Sequence, residues 1–216
     1  MTIQVAAFRW VPPFAQGFVR DLRVRWALEE AGLPYEAVLL DQDGKNTPDY
    51  RAWQPFGQVP AYRDGEVEMF ESGAIVLHLA AKSQALAPAD PAGRARVTTW
   101  VLAALNTVEP HVQSLAELDV FHQGEGWTVE RRPQLEAMVK RRLADLAGCL
   151  GDRPYLEGRF TAGDLMMTTV LRVLGGWPGL AEFPTLDAYR RRGEVRPAFA
   201  RALEAQLQPF REHAPA

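Results

Sequence analysis

Apolar residues in this chain follow two rhythms, and the change falls near Pro88. Before it, short apolar runs alternate with a single helical stretch. Ile3–Phe8 has the length of a buried strand. Phe18–Ala31 carries apolar residues at Phe18, Val19, Leu22, Val24, Trp26, Ala27, Leu28 and Ala31, broken by Arg20, Arg23 and Arg25. Gly32 and Pro34 close that helix. Tyr35–Leu40 reads as a second strand, and strand–helix–strand at this spacing predicts parallel pairing through a right-handed crossover. Asp41–Thr47 is a polar loop and Pro48–Trp53 a short helix. Asp64-Gly65 between short apolar-containing runs predicts a hairpin with a type I′ turn. A helix over Ser72–Lys82 follows, with Ser72 as its cap.

Pro88-Ala89-Asp90-Pro91 breaks the pattern, and beyond it strand signals vanish. Ala92–Glu117, Val129–Leu150 and Ala162–Leu174 carry helical periodicity, with Pro110 placed to kink the first. Leu135, Met138, Val139, Leu143, Leu146 and Leu150 form one face of the second. Thr185–Arg192 and Arg196–Phe210 complete the series. Thr161 and Asp164 have capping-box spacing, and Phe160 stands where it can staple onto Leu165. The organisation predicted is an α/β domain over 1–83, a linker over 84–91 and an all-helical domain over 92–216.

The chain has 216 residues, enough for two cores, with 47% apolar and 24% charged residues. A formal charge of −3 implies no general affinity for nucleic acid or anionic membrane. The basic runs Lys140-Arg141-Arg142 and Arg190-Arg191-Arg192 read as solvated helix faces. The single cysteine, Cys149, excludes an intramolecular disulfide and fits a reducing compartment. It reads as a small core residue rather than a nucleophile. The four histidines show no metal-ligand spacing, so no metal is expected. The first residues read as a strand and not as a signal peptide, and no run is long enough to span a membrane.

The candidate chemistry lies between the two rhythms. Gln54-Pro55-Phe56-Gly57-Gln58-Val59-Pro60 precedes the hairpin, and Glu71-Ser72 ends it at a helix start. Free N–H groups and a partial positive charge at such a start suit a carboxylate, so the pair suggests a pocket for a small zwitterionic, peptide-like molecule. Motif, hairpin and Glu-Ser helix together resemble the N-terminal domain of cytosolic glutathione S-transferases, and the Thr161–Asp164 box resembles theirs in the second domain. The resemblance implies a thioredoxin-like N-terminal domain, a cis Val59–Pro60 bond, and glutathione as co-substrate. It implies that Val59 and Pro60 meet the cysteinyl backbone, Glu71 and Ser72 the γ-glutamyl group, and Gln58 the glycyl carboxylate. It further implies a cytoplasmic homodimeric enzyme of detoxification, with glutathione conjugated to a hydrophobic small-molecule electrophile. That electrophile would sit beside apolar residues such as Leu105, Val108 and Val112.

One departure bears on mechanism. The family activates the glutathione thiol with a Tyr, Ser or Cys near the first helix, and this chain has none between Thr2 and Tyr35; the position falls on Phe18. Thiol activation then rests on backbone donors, on Arg20 as a permanent cation, or on Gln16 as a neutral donor, with Arg9 a third candidate. Trp10 and Phe14 could wall an electrophile. The missing hydroxyl keeps other functions open: a glutathione- or protein-binding module without transferase activity, or a glutathione-dependent reductase or isomerase.

Overall fold

A computed structural model of the chain describes residues 2–215. They divide into two compact units. One comprises the chain up to Ala87 together with the segment from Arg196 onward; the other is Pro88–Val195. The division falls inside the segment 84–91 read as a linker. The last helix joins the first unit, whereas the sequence pattern groups it with 92–216.

In the first unit, β1 (Ile3–Phe8), α1 (Asp21–Ala31) and β2 (Tyr35–Leu40) form the expected parallel crossover, in register from Ile3↔Tyr35 to Phe8↔Leu40. After α2 (Pro48–Trp53), β3 (Ala61–Arg63) and β4 (Glu68–Phe70) complete a sheet of order β2-β1-β3-β4, antiparallel from β1 onward. This is the thioredoxin-like arrangement. Side chains alternate across β1. Ala6 packs with Tyr50, Trp53, Val59 and Ala61 on the α2 side, while Val5 and Ala7 face the side where α1 lies against α3 (Ser72–Lys82).

Three expectations change here. The helix α1 starts at Asp21, not Phe18, because Gly17 turns with φ +82° ahead of it. The hairpin loop is four residues long, since Arg63 pairs with Glu68. Asp64 does not take the positive φ of a type I′ turn; its Oδ1 accepts the N–H groups of Glu66 and Val67 instead, a side-chain-closed turn. Its Oδ2 accepts from Lys82 (2.6 Å) and Tyr62 (2.9 Å) and meets His78 (3.3 Å), which ties the hairpin to α3. The Lys82 hydrogen bond, helped by these donors, holds the Asp64 carboxyl well below the usual range. The third change concerns Arg23 and Arg25, which are buried rather than breaks in an apolar face.

For Arg25 the reason is α9 (Pro197–Glu212), which packs along α1. Buried Gln206 donates from Nε2 to Asp21 Oδ1 (2.5 Å) and to the Val19 carbonyl (3.0 Å). Arg25 donates to Asp21 Oδ2 (2.7 Å) and to the Ala205 carbonyl (3.1 Å). Burial pushes the Asp21 carboxyl up, against the pull of Arg25 and Gln206. At the other end, Arg196 grips both oxygens of Glu30 (2.6 and 2.8 Å).

The described part of the second unit is helical. The long stretch expected from Ala92 splits into α4 (Pro91–Ala103), a π-turn over Ala104–Val108 and α5 (Glu109–Phe121). Pro110 has no N–H to continue an α-helical ladder, and the wider turn just precedes it. In α6 (Trp127–Leu150) the expected face is buried except Met138, which is 40% exposed. Cys149, read as core, is exposed, one position before buried Leu150. The helix α7 (Ala162–Arg172) is buried through almost its whole length. Asp164 takes four donors: Leu156 N–H (2.8 Å), Tyr189 OH (2.9 Å), and Thr161 N–H (2.9 Å) and OH (3.0 Å). Burial pushes its carboxyl up, and those donors oppose the push. The basic run in α8 (Pro184–Glu194) is less solvated than expected: Arg190 pairs with Asp187 and Glu194, and Arg192 donates to the Pro154 carbonyl. Among the described residues no helix is long and apolar enough to cross a membrane, and no cluster of three His, Cys, Asp or Glu could hold a metal.

Candidate functional site

The loop from Gln54 to Pro60 is fixed from beneath. Thr47 caps α2 by accepting the Tyr50 N–H (3.3 Å), which places Tyr50 and Trp53 in the core. Tyr50 then donates its hydroxyl to the Gln58 carbonyl (2.5 Å), and burial pushes that phenol up to about 12. At the end of α2, Gln54 is 2% exposed and its Oε1 accepts two backbone N–H groups, from Phe56 (2.7 Å) and Gln58 (3.2 Å). Arg51 holds the Pro55 carbonyl (2.8 Å). Gly57 has φ +61°, a backbone conformation that favours glycine, and a Cβ there would also push on the movable Arg51 guanidinium, 2.6 Å away. The Val59–Pro60 bond is cis. The N–H and C=O of Val59 have no partner among the described residues, which leaves a short open backbone edge.

Facing this edge is the junction of β4 with α3. Ser72, read as the cap of that helix, is its first residue instead. Glu71 occupies the cap position with φ 68° and ψ 114°, and no side chain caps the helix. The first bond within α3 runs from Ile75 N–H to the Glu71 carbonyl, so the N–H groups of Ser72, Gly73 and Ala74 come before the ladder begins. A non-glycine residue in the left-handed region is strained, by about 1–2 kcal/mol. Here that conformation turns the chain abruptly from strand to helix with the carboxylate of Glu71 exposed. The hydroxyl of Ser72, a residue only 5% exposed, accepts from Arg23 Nη1 (3.3 Å). A guanidinium thus backs the start of α3 from α1.

The start of α1 supplies the third wall. Gly17 turns the chain, the Asp21–Gln206 network pins both Val19 and Asp21, and Arg20 stands between those two pinned residues. Arg20, Gln54, Gln58, Val59, Pro60, Glu71 and Ser72 line one solvent-open hollow. Six of the seven candidate residues therefore converge. Gln16 does not join them: its Nε2 donates to the Val11 carbonyl (3.0 Å), so the amide closes its own loop. Arg9 and Phe14 are exposed, and so is Phe18, the residue at the position of the missing hydroxyl. Of the apolar candidates in the second unit, Val108 and Val112 are buried and Leu105 half-buried, as core residues are.

Two residues of the site were not singled out by sequence reasoning. Arg23 reads as a charged interruption of α1 until its partner, Ser72, is seen. Gln54 opens the motif beside a proline, and that position was its only signal. Chemically, the hollow offers an anion (Glu71), a cation (Arg20), helix N–H groups and an open peptide edge. These features describe a thioredoxin-fold protein with a hollow suited to a small zwitterionic peptide.

Comparison with known proteins agrees. Residues 22–87 match the family described as glutathione S-transferase, N-terminal domain. Glutathione S-transferase 3 of Zea mays is 35% identical over 85% of this chain and 88% of its own. A probable glutathione S-transferase of Oryza sativa subsp. japonica is 39% identical over 75% of this chain and 78% of its own. A glutathione transferase of Burkholderia graminis, solved with two glutathione molecules bound per subunit, superposes with a TM-score of 0.83 at 26% identity, over 94% of this chain and 88% of that one. The chain belongs to the glutathione S-transferase family.

Proposed function

We propose that the protein binds glutathione in this hollow and transfers it to a hydrophobic electrophile. The observation that carries the reading is the convergence of the open Val59 edge, the cis Val59–Pro60 bond, the Glu71-Ser72 helix start and Arg20 on one hollow. In this reading Val59 pairs with the cysteinyl backbone through its N–H and C=O. Glu71 takes the γ-glutamyl ammonium, while Ser72 and the first N–H groups of α3 take its carboxylate. Gln58 lies at the glycyl end. The sulfur then forms a bond to the electrophilic carbon, the leaving group departs with the electron pair, and the thiol proton passes to solvent.

A free thiol with pKa near 8.5 is only a few per cent ionised at neutral pH. Arg20 is the group we assign to lowering it. One nearby cation can supply a fall of about one unit, equal to 1.36 kcal/mol of preference for the thiolate. The test is the pH dependence of conjugation to a chlorinated nitrobenzene, with the ultraviolet absorbance of bound thiolate. Arg20→Ala is expected to move the thiol pKa up by about one unit, shifting the rise of turnover to higher pH. An unmoved pKa removes Arg20 and leaves backbone donors.

A second reading has one observation in its favour. Among the described residues, the only hydroxyl in the lining is that of Ser72, which this assignment gives to the γ-glutamyl end. A glutathione-binding module without transfer fits that lining, and a bound thiol titrating at its free value in wild type would establish it. Family membership and the single exposed Cys149 support a homodimer working in a reducing compartment such as the cytoplasm. Sedimentation would measure its oligomeric state.

A further inference from the structure

We propose that Gln54 is a fixed hydrogen-bond donor to an acceptor oxygen of glutathione, a carbonyl or a carboxylate. The proposal rests on the glutathione-binding reading of the same hollow. It starts from an accounting of one side-chain amide. Which end of a glutamine is oxygen is ordinarily a choice made from its neighbours. At Gln54 the neighbours leave no choice, because one end faces two backbone N–H groups, of Phe56 and Gln58, and only oxygen can accept both. The other end is therefore Nε2, with two hydrogens.

Those two hydrogens have no acceptor among the described residues, and Nε2 is not among the buried atoms that lack a partner, so it opens onto the hollow. Gln54 is 2% exposed, so bulk water reaches it poorly, and it lines the hollow. An amide donor that no protein group uses and that opens onto a concave site is available to a ligand. Holding the loop needs only the oxygen. The donor on the opposite side is surplus to that task, and it is rigid: α2 fixes the backbone of Gln54, and two N–H groups fix the amide plane. A preorganised donor of this kind loses little freedom when a ligand arrives.

Gln54→Glu separates the two roles. The introduced carboxylate still accepts both loop N–H groups, but it offers no donor and turns a negative charge toward the ligand oxygen. Glutathione affinity, measured by calorimetry, is expected to fall at least about tenfold at neutral pH. The gap from wild type is expected to narrow as pH falls from about 8 to about 5, because a protonated carboxyl regains an O–H donor and its proton is held more tightly beside the ligand. Equal affinity of variant and wild type overturns the assignment. So does a gap that stays constant with pH, which would mark damage to the loop alone. A second measurement needs no variant to bind: in isotope-labelled wild type the Gln54 side-chain amide protons should shift on saturation with glutathione, and unmoved resonances overturn the proposal. If wild type binds no glutathione, the site reading falls as well; if only the variant comparison fails, Gln54 alone is reassigned.

Discussion

Two of the helices that begin near an acid, α7 and α3, treat their beginnings in opposite ways. At α7 the acid is Asp164, fully buried, with four donors pointing at it from Leu156, Thr161 and Tyr189. At α3 the acid is Glu71, exposed, in a left-handed conformation, with no side chain capping the helix. The first beginning is closed from within by a reciprocal capping box. The second leaves N–H groups, a carboxylate and a hydroxyl facing a hollow. A reciprocal capping box closes the start of the core helix α7, whereas the start of α3, which faces the hollow, has no side-chain cap and carries the strained residue.

The sharpest way to break this contrast is Asp164→Ala. Four buried donors would lose their acceptor at once, and each unsatisfied group costs about 1–3 kcal/mol before relaxation. Chemical denaturation should show a loss of about 3 kcal/mol or more, with glutathione affinity retained in the folded fraction. Intact stability with lost binding would reverse the roles assigned to the two helices. Next comes Ser72→Ala, expected to weaken glutathione binding roughly ten- to a hundredfold, or about 1.5–3 kcal/mol, while the melting temperature stays close to wild type. An unchanged affinity would take the γ-glutamyl group away from α3.

Smallest in stability, and most telling in sign, is Glu71→Gly. Glycine adopts positive φ at no steric cost, which relieves strain of about 1–2 kcal/mol, and the greater freedom of the unfolded chain offsets about half of that. The variant should be as stable as wild type or more stable by up to about 1 kcal/mol, yet bind glutathione more weakly. Destabilisation would mean that the carboxylate of Glu71 holds the fold and is not reserved for a ligand.

The same contrast explains what could be read from sequence. Gln58, Val59, Pro60, Glu71 and Ser72 form a local pattern, two short clusters joined by a hairpin, and short-range order is what a sequence displays. Thr161 and Asp164 were legible for the same reason, three residues apart on one turn of helix. Arg23 and Arg25 were not, because their burial depends on α3 and α9, and Gln206 lies far along the chain from Asp21. Charges spaced through α1 look like interruptions until each has a partner from elsewhere. Cys149 failed for a related reason, since a helix face that looks apolar does not reveal which positions at its edge reach solvent. The four-residue turn at Asp64 shows the limit of dipeptide signals: an Asp side chain can close a turn that its backbone does not.

The return of α9 to the first unit has a consequence for the making of the protein. Ribosomes deliver the chain in order, so the sheet and α1 emerge first and the whole of Pro88–Val195 follows before Gln206 appears. Until then the Asp21 carboxylate lacks its amide donor, the Val19 carbonyl holds only the Leu22 N–H, and Glu30 waits for Arg196. The segment between Val19 and Asp21 carries Arg20. A nascent chain can therefore assemble its sheet early and still hold this wall of the hollow unfinished until Pro88–Val195 and the helix after it have been made.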